Sequence, residues 1–350
     1  MEWPTPRYSR NSVNRAGRLL AFGPRGDASA ISEALDALAN WRACHGYPIN
    51  TFQATLRSKL TRLSCDYLVV QRLKRTPSIL EKLRRYPSMK LARMQDIGGL
   101  RAVVETVDHA ERLRADYRES RFAHELVADT DYIAEPKASG YRGFHLVYKY
   151  CGRKTAAYDG LQVELQIRTR IQHAWATAVE VAGTFLNQSL KSSEGPGEWL
   201  DFFELASAGL ASLEGSPLPR RFLKYSVPQL KSMIRTEEER LSISEKLGAF
   251  RIAFNAISED PHRGSYFLIV LDPELKEVSV TTYAKSRLEE ASRDYAYTER
   301  EISEGTASQA VLVAATSIEQ LRRAYPNYFL DTRDFLDLLS RFSLGRGIAI

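Results

Sequence analysis

Strict alternation of apolar and polar residues over 163–169 constrains the fold of this chain more than any other feature. Alternation with a period of two predicts a strand with its apolar residues against a core. Glu164, Gln166 and Arg168 then share the opposite face. A carboxylate, an amide and a guanidinium on one face can bind a metal ion and phosphates. A purely structural strand with one polar face would show the same pattern.

A second segment places cations next to the start of a helix. Arg72 and Lys74 lie on the same side of an extended segment, and residues 76–78 follow them. A hydroxyl residue and a proline favour a helix start there, with Lys82 on the next turn. Two cations beside a helix N-terminus suit a polyphosphate. Taken alone, this pattern is also typical of a solvated basic stripe.

Two glycine-rich segments add candidate ligand-binding residues. Asp96 precedes a pair of glycines and a short apolar strand, so we expect it at the strand entrance with little steric cover. Such a carboxylate suits a hard cation, although an aspartate in this setting is often only a turn residue. Tyr141 lies between Gly140 and Gly143 in a turn-rich loop before a strand over 144–150. We expect it to be exposed, with one ring face free for a nucleobase.

Together these motifs resemble the nucleotide pyrophosphokinase domain of the RelA/SpoT homologues, which make the alarmones pppGpp and ppGpp. The matching motifs lie at residues 72–82, 96–101, 131–145 and 164–173, in the order and spacing of that family. The resemblance covers about residues 40–190. Residues 172–176 are similar to the short, synthetase-only members rather than to the long ribosome-associated ones.

The resemblance implies an α/β (α+β) fold in which helices flank a mixed β-sheet. It also implies an enzyme that transfers the β,γ-diphosphate of ATP to the 3′-hydroxyl of GTP or GDP and releases AMP. This chemistry requires charge neutralisation and in-line positioning, so Mg²⁺ is the implied cofactor. Asp96 and Glu164 are the implied catalytic and metal-binding residues. Glu164 can alternatively accept the proton of the attacking hydroxyl.

The same resemblance assigns binding residues to each substrate. The implied ATP-binding residues are Arg72, Lys74, Ser78, Lys82 and Arg101. The implied acceptor-binding residues are Lys137, Tyr141, His145, Gln166, Arg168 and His173. His145 also fits the description of a half-buried histidine with a purely structural role.

The acceptor loop departs from the family pattern, which leaves the identity of the acceptor open. After Tyr141 the chain reads Arg142, Gly143 and Phe144, where the family more often has a small polar residue and leucine. Some short relatives are toxins that modify the 3′ end of tRNA or adenosine nucleotides, and a tyrosine stacks on any base. The alternative function is therefore such a toxin, restrained by its own C-terminal domain.

The sequence divides into four parts. Residues 1–62 form a basic, turn-rich start followed by helices over 28–42 and 51–63, and residues 63–190 are the synthetase core. Residues 191–260 are a helical connector with one helix over 228–254. Residues 261–350 are a small α/β domain. The last part reads ββαβα, with strands over 266–271, 277–283 and 310–315 and helices over 284–302, 317–324 and 331–342. We expect it to be regulatory or structural. The first helices contain no His-Asp pair, which argues against alarmone hydrolase activity.

Composition is consistent with a cytoplasmic enzyme of anionic substrates. The net charge is +6 and the pI is about 9.1, which favours anionic ligands such as ATP, GTP, GDP or tRNA. Cys44, Cys65 and Cys151 lack metal-ligand spacing and indicate free thiols in a reducing compartment. No signal peptide or membrane span is expected, and the oligomeric state is left open.

Overall fold

Two β-sheets surrounded by helices make up the part of the chain that the structure describes. The structure is a computed structural model that describes residues 3–23, 27–120, 122–152, 155–185, 197–252, 255–257, 266–272, 277–302, 308–314 and 331–344. Within these residues, no helix is both long enough and apolar enough to cross a lipid bilayer.

Three helices precede the first sheet. They are α1 (Arg10–Phe22), α2 (Ala28–Cys44) and α3 (Gly46–Leu63). The expectation of a turn-rich segment before residue 25 is wrong, because Ser9 caps α1 by accepting a hydrogen bond from the Ser12 backbone N–H at 3.1 Å. Val13 of α1 is fully buried. Basic residues surround it in the sequence, so the apolar face of α1 is not evident from the sequence pattern. The two helices expected before residue 63 are confirmed, each slightly longer than predicted.

The first sheet is mixed, which confirms the predicted fold class. Its strands are β1 (Tyr67–Leu73), β2 (Gly98–Val104), β3 (Glu125–Asp131), β4 (Phe144–Lys149) and β5 (Gln162–Thr169), and their spatial order is β1-β2-β5-β4-β3. Strands β2 and β5 are parallel, and the other neighbours are antiparallel. The flanking helices of this part are α4 (Thr76–Arg85), α5 (Val107–Glu119) and α6 (Arg170–Phe185).

Register brings the polar residues of four strands to one face of this sheet. Glu164 on β5 pairs with Gly99 on β2, which in turn pairs with Arg72 on β1. In the next row, Gln166 pairs with both Arg101 on β2 and His145 on β4. Because paired residues project to the same side of a sheet, separate motifs converge on one surface.

Helix α7 (Gly197–Leu213) is part of the core that supports the loop containing Tyr141. The Ser207 hydroxyl of α7 donates to the Gly140 carbonyl oxygen at 2.5 Å. Gly140 has a φ of +84°, and a Cβ atom there would lie 2.8 Å from the Ser207 Cβ. Only glycine combines this backbone conformation with so close an approach. Arg142 donates from Nε to the Ser207 hydroxyl at 3.3 Å and forms an ion pair with Glu214, which directly follows α7.

Two further helices complete the connector. They are α8 (Val227–Leu241) and α9 (Ile243–Ile252). The single helix predicted over 228–254 is therefore wrong, because Ser242 takes a left-handed conformation with a φ of +51° and ends α8. A local backbone reversal at a serine has no clear sequence signature, since glycine and asparagine are the usual residues in this position.

The C-terminal part contains the second sheet. Its elements are β6 (Asn255–Ile257), β7 (Tyr266–Asp272), β8 (Glu277–Tyr283), α10 (Leu288–Glu301), β9 (Gln309–Ala314) and α11 (Arg333–Leu344), with strand order β6-β8-β7-β9. Strands β7 and β8 lie within one residue of the predicted bounds and pair antiparallel. The helix predicted over 317–324 lies outside the described residues. Helix α11 packs against α6, α7 and α8, where Phe335 lies 5.8 Å from Phe203 between ring centroids.

The second sheet lies over the polar face of the first. Val311 of β9 shares a hydrophobic core with Val70 of β1, together with Phe267, Ile269 and Leu271 of β7. Burial of this apolar surface favours the packed arrangement. The C-terminal part consequently forms one wall of the space in which the predicted site residues meet.

Candidate active site

A small pocket between the two sheets gathers residues from separate motifs. Its lining residues are Val70, Arg72, Asp96, Gly99, Leu100, Arg101, Glu164, Gln166, Glu180 and Val311. Its volume is about 30 Å³, whereas pockets for drug-sized ligands measure roughly 300–1,000 Å³. The pocket in this conformation is therefore too small for a nucleotide, and its walls must separate before one can bind.

Asp96 is enclosed by two lysines. Lys74 Nζ lies 3.0 Å from Asp96 Oδ2, and Lys82 Nζ lies 3.0 Å from Asp96 Oδ1. Burial by itself raises the pKa of Asp96, but the two ammonium groups outweigh it and the pKa lies below its ordinary value. The expected lack of cover at Asp96 is wrong, because its side chain is only 20% exposed.

Glu164 is an ionised carboxylate bound by two neighbours. His145 Nδ1 lies 2.8 Å from Glu164 Oε1, and Gln166 Nε2 donates to Glu164 Oε2 at 2.8 Å. Burial alone would raise the pKa of Glu164, yet the hydrogen bonds and the charge of His145 lower it to about 2. The carboxylate is accordingly ionised at neutral pH and suited to bind a cation.

Tyr141 is buried in this conformation, so the expected exposure is wrong. Its side chain is 7% exposed and packs near Trp175, with 6.5 Å between ring centroids. The Tyr141 hydroxyl shares a 2.5 Å hydrogen bond with His145 Nε2 and accepts one from Arg168 Nε at 3.1 Å. Tyr141, His145 and Glu164 thus form a continuous hydrogen-bonded chain.

Three arginines concentrate positive charge on the same face. Burial, together with the nearby guanidinium groups of Arg168 and Arg72, lowers the pKa of Arg101 to about 9. Arg168 Nη1 is buried and has no hydrogen-bond partner among the residues that the structure describes. A buried donor without a partner costs free energy, so the cluster is suited to a bound anion such as a phosphate.

The other predicted binding residues lie around this centre. Lys137 Nζ sits over the Tyr141 ring, 5.2 Å from its centroid. Ser78 lies on the first turn of α4, and His173 is buried on α6. Three pocket residues outside the matching motifs, Val70, Glu180 and Val311, were missed by sequence reasoning. The helical spacing could have indicated Glu180, because it lies seven residues after His173 and therefore on the same face of α6.

The donor set is suitable for Mg²⁺. Magnesium in phosphoryl-transfer sites is usually bound by one or two carboxylates together with substrate phosphates. Asp96 and Glu164 line one pocket and are both ionised, which meets this requirement. The ammonium groups of Lys74 and Lys82 contact Asp96, and they would have to turn away from its carboxylate for a metal ion to bind there.

We expect Tyr141 to titrate well below an ordinary tyrosine. Burial opposes ionisation, but Arg168 and His145 lower its pKa to about 7, compared with about 10 for a free tyrosine. Tyrosinate absorbance of the intact protein minus that of Tyr141→Phe should therefore rise near pH 7. Because the folded-state pKa is the lower one, stability relative to Tyr141→Phe should increase from about pH 7 to 10. A difference spectrum that changes only near pH 10 would contradict this expectation.

Residues 71–185 match the model of a region found in RelA/SpoT proteins. GTP pyrophosphokinase YjbM of Bacillus subtilis is 41% identical over 114 residues, which are 31% of this chain and 52% of YjbM. The chain thus spans about half the length of that relative. The uncharacterized protein Rv1366 of Mycobacterium tuberculosis is 28% identical over 197 residues, 55% of this chain and 64% of Rv1366.

A solved structure also shows similarity to this chain. Small alarmone synthetase 1 of Bacillus subtilis, in a crystal structure with its product pppGpp, superposes with a TM-score of 0.43 at 28% identity. The superposition covers 49% of this chain and 90% of that protein.

Proposed function

We propose that the protein transfers the β,γ-diphosphate of ATP to the 3′-hydroxyl of GTP or GDP. The proposal is supported by the match of residues 71–185 to the model of a region found in RelA/SpoT proteins and by the similarity to GTP pyrophosphokinase YjbM. The observation that carries the proposal is the convergence of Asp96 and Glu164, from separate motifs, in one pocket with Arg72 and Arg101. Carboxylates beside guanidinium groups meet the needs of phosphoryl-type transfer. We further propose that the enzyme is cytoplasmic and lacks alarmone hydrolase activity.

The donor side consists of the cations near α4. Lys74 and Lys82 both contact Asp96 now, and each can turn to an ATP phosphate once Asp96 binds a metal ion. Bound Mg²⁺ would neutralise phosphate charge and orient the diphosphate for in-line attack. Arg72 and Ser78 complete this side, since both lie at the same end of the first sheet as Asp96.

The acceptor side consists of Tyr141, His145 and Glu164, whose side chains are connected by hydrogen bonds. Glu164 would either share the metal ion with Asp96 or accept the proton of the attacking 3′-hydroxyl, and His145 orients the carboxylate through its 2.8 Å contact. Arg168 offers its unpaired Nη1 to an acceptor phosphate. Tyr141 stacks on the acceptor base after the pocket opens, with Lys137 beside it.

An acceptor screen tests the proposal. The protein is incubated with Mg²⁺ and ATP labelled at the γ-phosphate, together with GTP, GDP, unlabelled ATP or bulk tRNA in separate reactions. We expect label on GTP or GDP and production of AMP. Label on tRNA or on adenosine nucleotides would replace this assignment by the toxin-type function, and label on none of them would contradict transferase activity. Incubation with ppGpp should release no pyrophosphate.

A further inference from the structure

A buried contact joins helix α10 of the C-terminal part to the start of helix α4. Arg42 Nη1 donates to Glu299 Oε2 at 2.9 Å, and the side chains are only 8% and 9% exposed. Tyr295, one turn before Glu299, donates from its hydroxyl to Glu299 Oε1 at 2.6 Å and accepts from Arg42 Nη2 at 2.9 Å. We call this arrangement of Arg42, Tyr295 and Glu299 the clasp.

Glu299 also occupies the N-terminus of α4. The Thr76 backbone N–H donates to Glu299 Oε1, and the Thr76 hydroxyl donates to Glu299 Oε2, both at 3.1 Å. The first turn of α4 contains no acidic residue of its own. The carboxylate of Glu299 therefore supplies the negative charge that stabilises the positive end of this helix.

Donors that bind a carboxylate in this way are equally suited to a phosphate. The N–H and hydroxyl of Thr76 and the guanidinium of Arg42 point to one anionic group, as in helix N-termini that bind phosphates. Arg42 Nε also donates to the Lys74 carbonyl oxygen at 2.9 Å, so the clasp adjoins the segment that carries the donor-side cations. The same C-terminal part contributes Val311 to the wall of the 30 Å³ pocket.

Resting on the proposed function, we propose that Glu299 is a built-in competitor of the ATP phosphates. In the closed form Glu299 takes the donors of Thr76 and Arg42, while β9 covers the pocket. In the open form a phosphate of ATP replaces the carboxylate at Thr76 and Arg42, and the second sheet moves away from the first. Binding of ATP and closure by the C-terminal part are then mutually exclusive, so each reduces the other by the same factor.

Point variants of the full-length chain test the competition. Glu299→Gln keeps the shape of the side chain but removes its charge, and Glu301→Gln makes the same change at an exposed position of the same helix. The probe is α,β-methylene-ATP, which binds without reacting, in calorimetric titration with Mg²⁺. Glu299→Gln should bind it roughly tenfold more tightly than the parent, since loss of a charge-assisted contact favours the open form. Glu301→Gln should bind it as the parent does.

A second variant and a second measurement cover the case in which Glu299→Gln folds poorly. Tyr295→Phe removes the hydroxyl that bonds to Arg42 and Glu299 but keeps the buried ring. It should also tighten binding, by less than Glu299→Gln. In the parent protein, the nucleotide analogue should increase amide hydrogen exchange in β9 and α10, because bound ligand favours the open form.

The results distinguish this proposal from the proposed function. Tighter binding by Glu299→Gln together with increased exchange in α10 would support the clasp even if no acceptor were labelled. Unchanged, weaker or absent nucleotide binding by both clasp variants, with unchanged exchange in the parent, would overturn it. A lower melting temperature without tighter binding would assign Glu299 a purely structural role and would likewise overturn the proposal.

Discussion

Replacing Glu164 with Gln should lower the rate of pyrophosphate transfer by roughly a hundredfold or more, as expected when a charge-stabilising catalytic group is lost. The change keeps the shape of the side chain and retains an oxygen that can accept from His145. It removes the charge that would accept a proton or bind Mg²⁺. Asp96→Asn should have an effect of similar size, because it removes the other carboxylate of the pocket.

The measurement is the initial rate of transfer from ATP with saturating substrates, alongside a thermal melt of each variant. Glu111→Gln is a matched control, since Glu111 is an exposed carboxylate on α5. It should retain the parent rate. If Glu164→Gln folds like the parent and keeps a near-normal rate, then Glu164 is neither the general base nor a required metal ligand. A low rate accompanied by unfolding would point to a structural role instead.

Alternation and motif spacing were sufficient to predict the polar face of the first sheet. Glu164, Gln166 and Arg168 lie on one face of β5, because side chains alternate along a strand irrespective of distant contacts. The start of α4 at Thr76 was also predictable, since proline in the first turn is a local signal. Local chemistry therefore determined both features.

Features that depend on distant contacts could not be predicted. The burial of Tyr141 requires α7, and Ser207 of that helix is 67 residues from Gly140. The contact between Thr76 and Glu299 joins positions 223 residues apart. No local pattern in either segment indicates such a partner, because Glu299 alone resembles any acidic residue on a solvated helix. Helix α1 was missed for a local reason, because its buried residues Val13, Ala16 and Gly17 are small and lie among basic residues.

This packing also changes how the C-terminal part should be tested. Removing everything after residue 259 would delete α11 as well as strands β7, β8 and β9 of the second sheet. Helix α11 buries Phe335, Leu339 and Phe342 against the connector helices. Its loss would expose a large apolar surface and destabilise the core. A truncation would therefore confuse loss of restraint with loss of support, whereas Glu299→Gln changes only the clasp.

Tyr141→Ala should weaken acceptor binding by about 1–3 kcal/mol, the usual cost of losing a stacked base, and should affect ATP binding less. The ring connects with the acceptor-side residues His145 and Arg168 through its hydroxyl. The ATP-side cations Lys74 and Lys82 instead contact Asp96. Titration with GTP and separately with α,β-methylene-ATP measures the two affinities.

Tyr141→Phe separates stacking from the hydroxyl network. Phenylalanine keeps the aromatic face, so acceptor affinity should stay near that of the parent if stacking is the main contribution. Transfer should still slow, because His145 loses the hydroxyl that it contacts at 2.5 Å and holds Glu164 less firmly. If Tyr141→Ala instead weakens ATP binding and leaves GTP binding unchanged, the loop belongs to the donor side. In that case the acceptor base must rest on another surface, and the division of the pocket into donor and acceptor sides would have to be reversed.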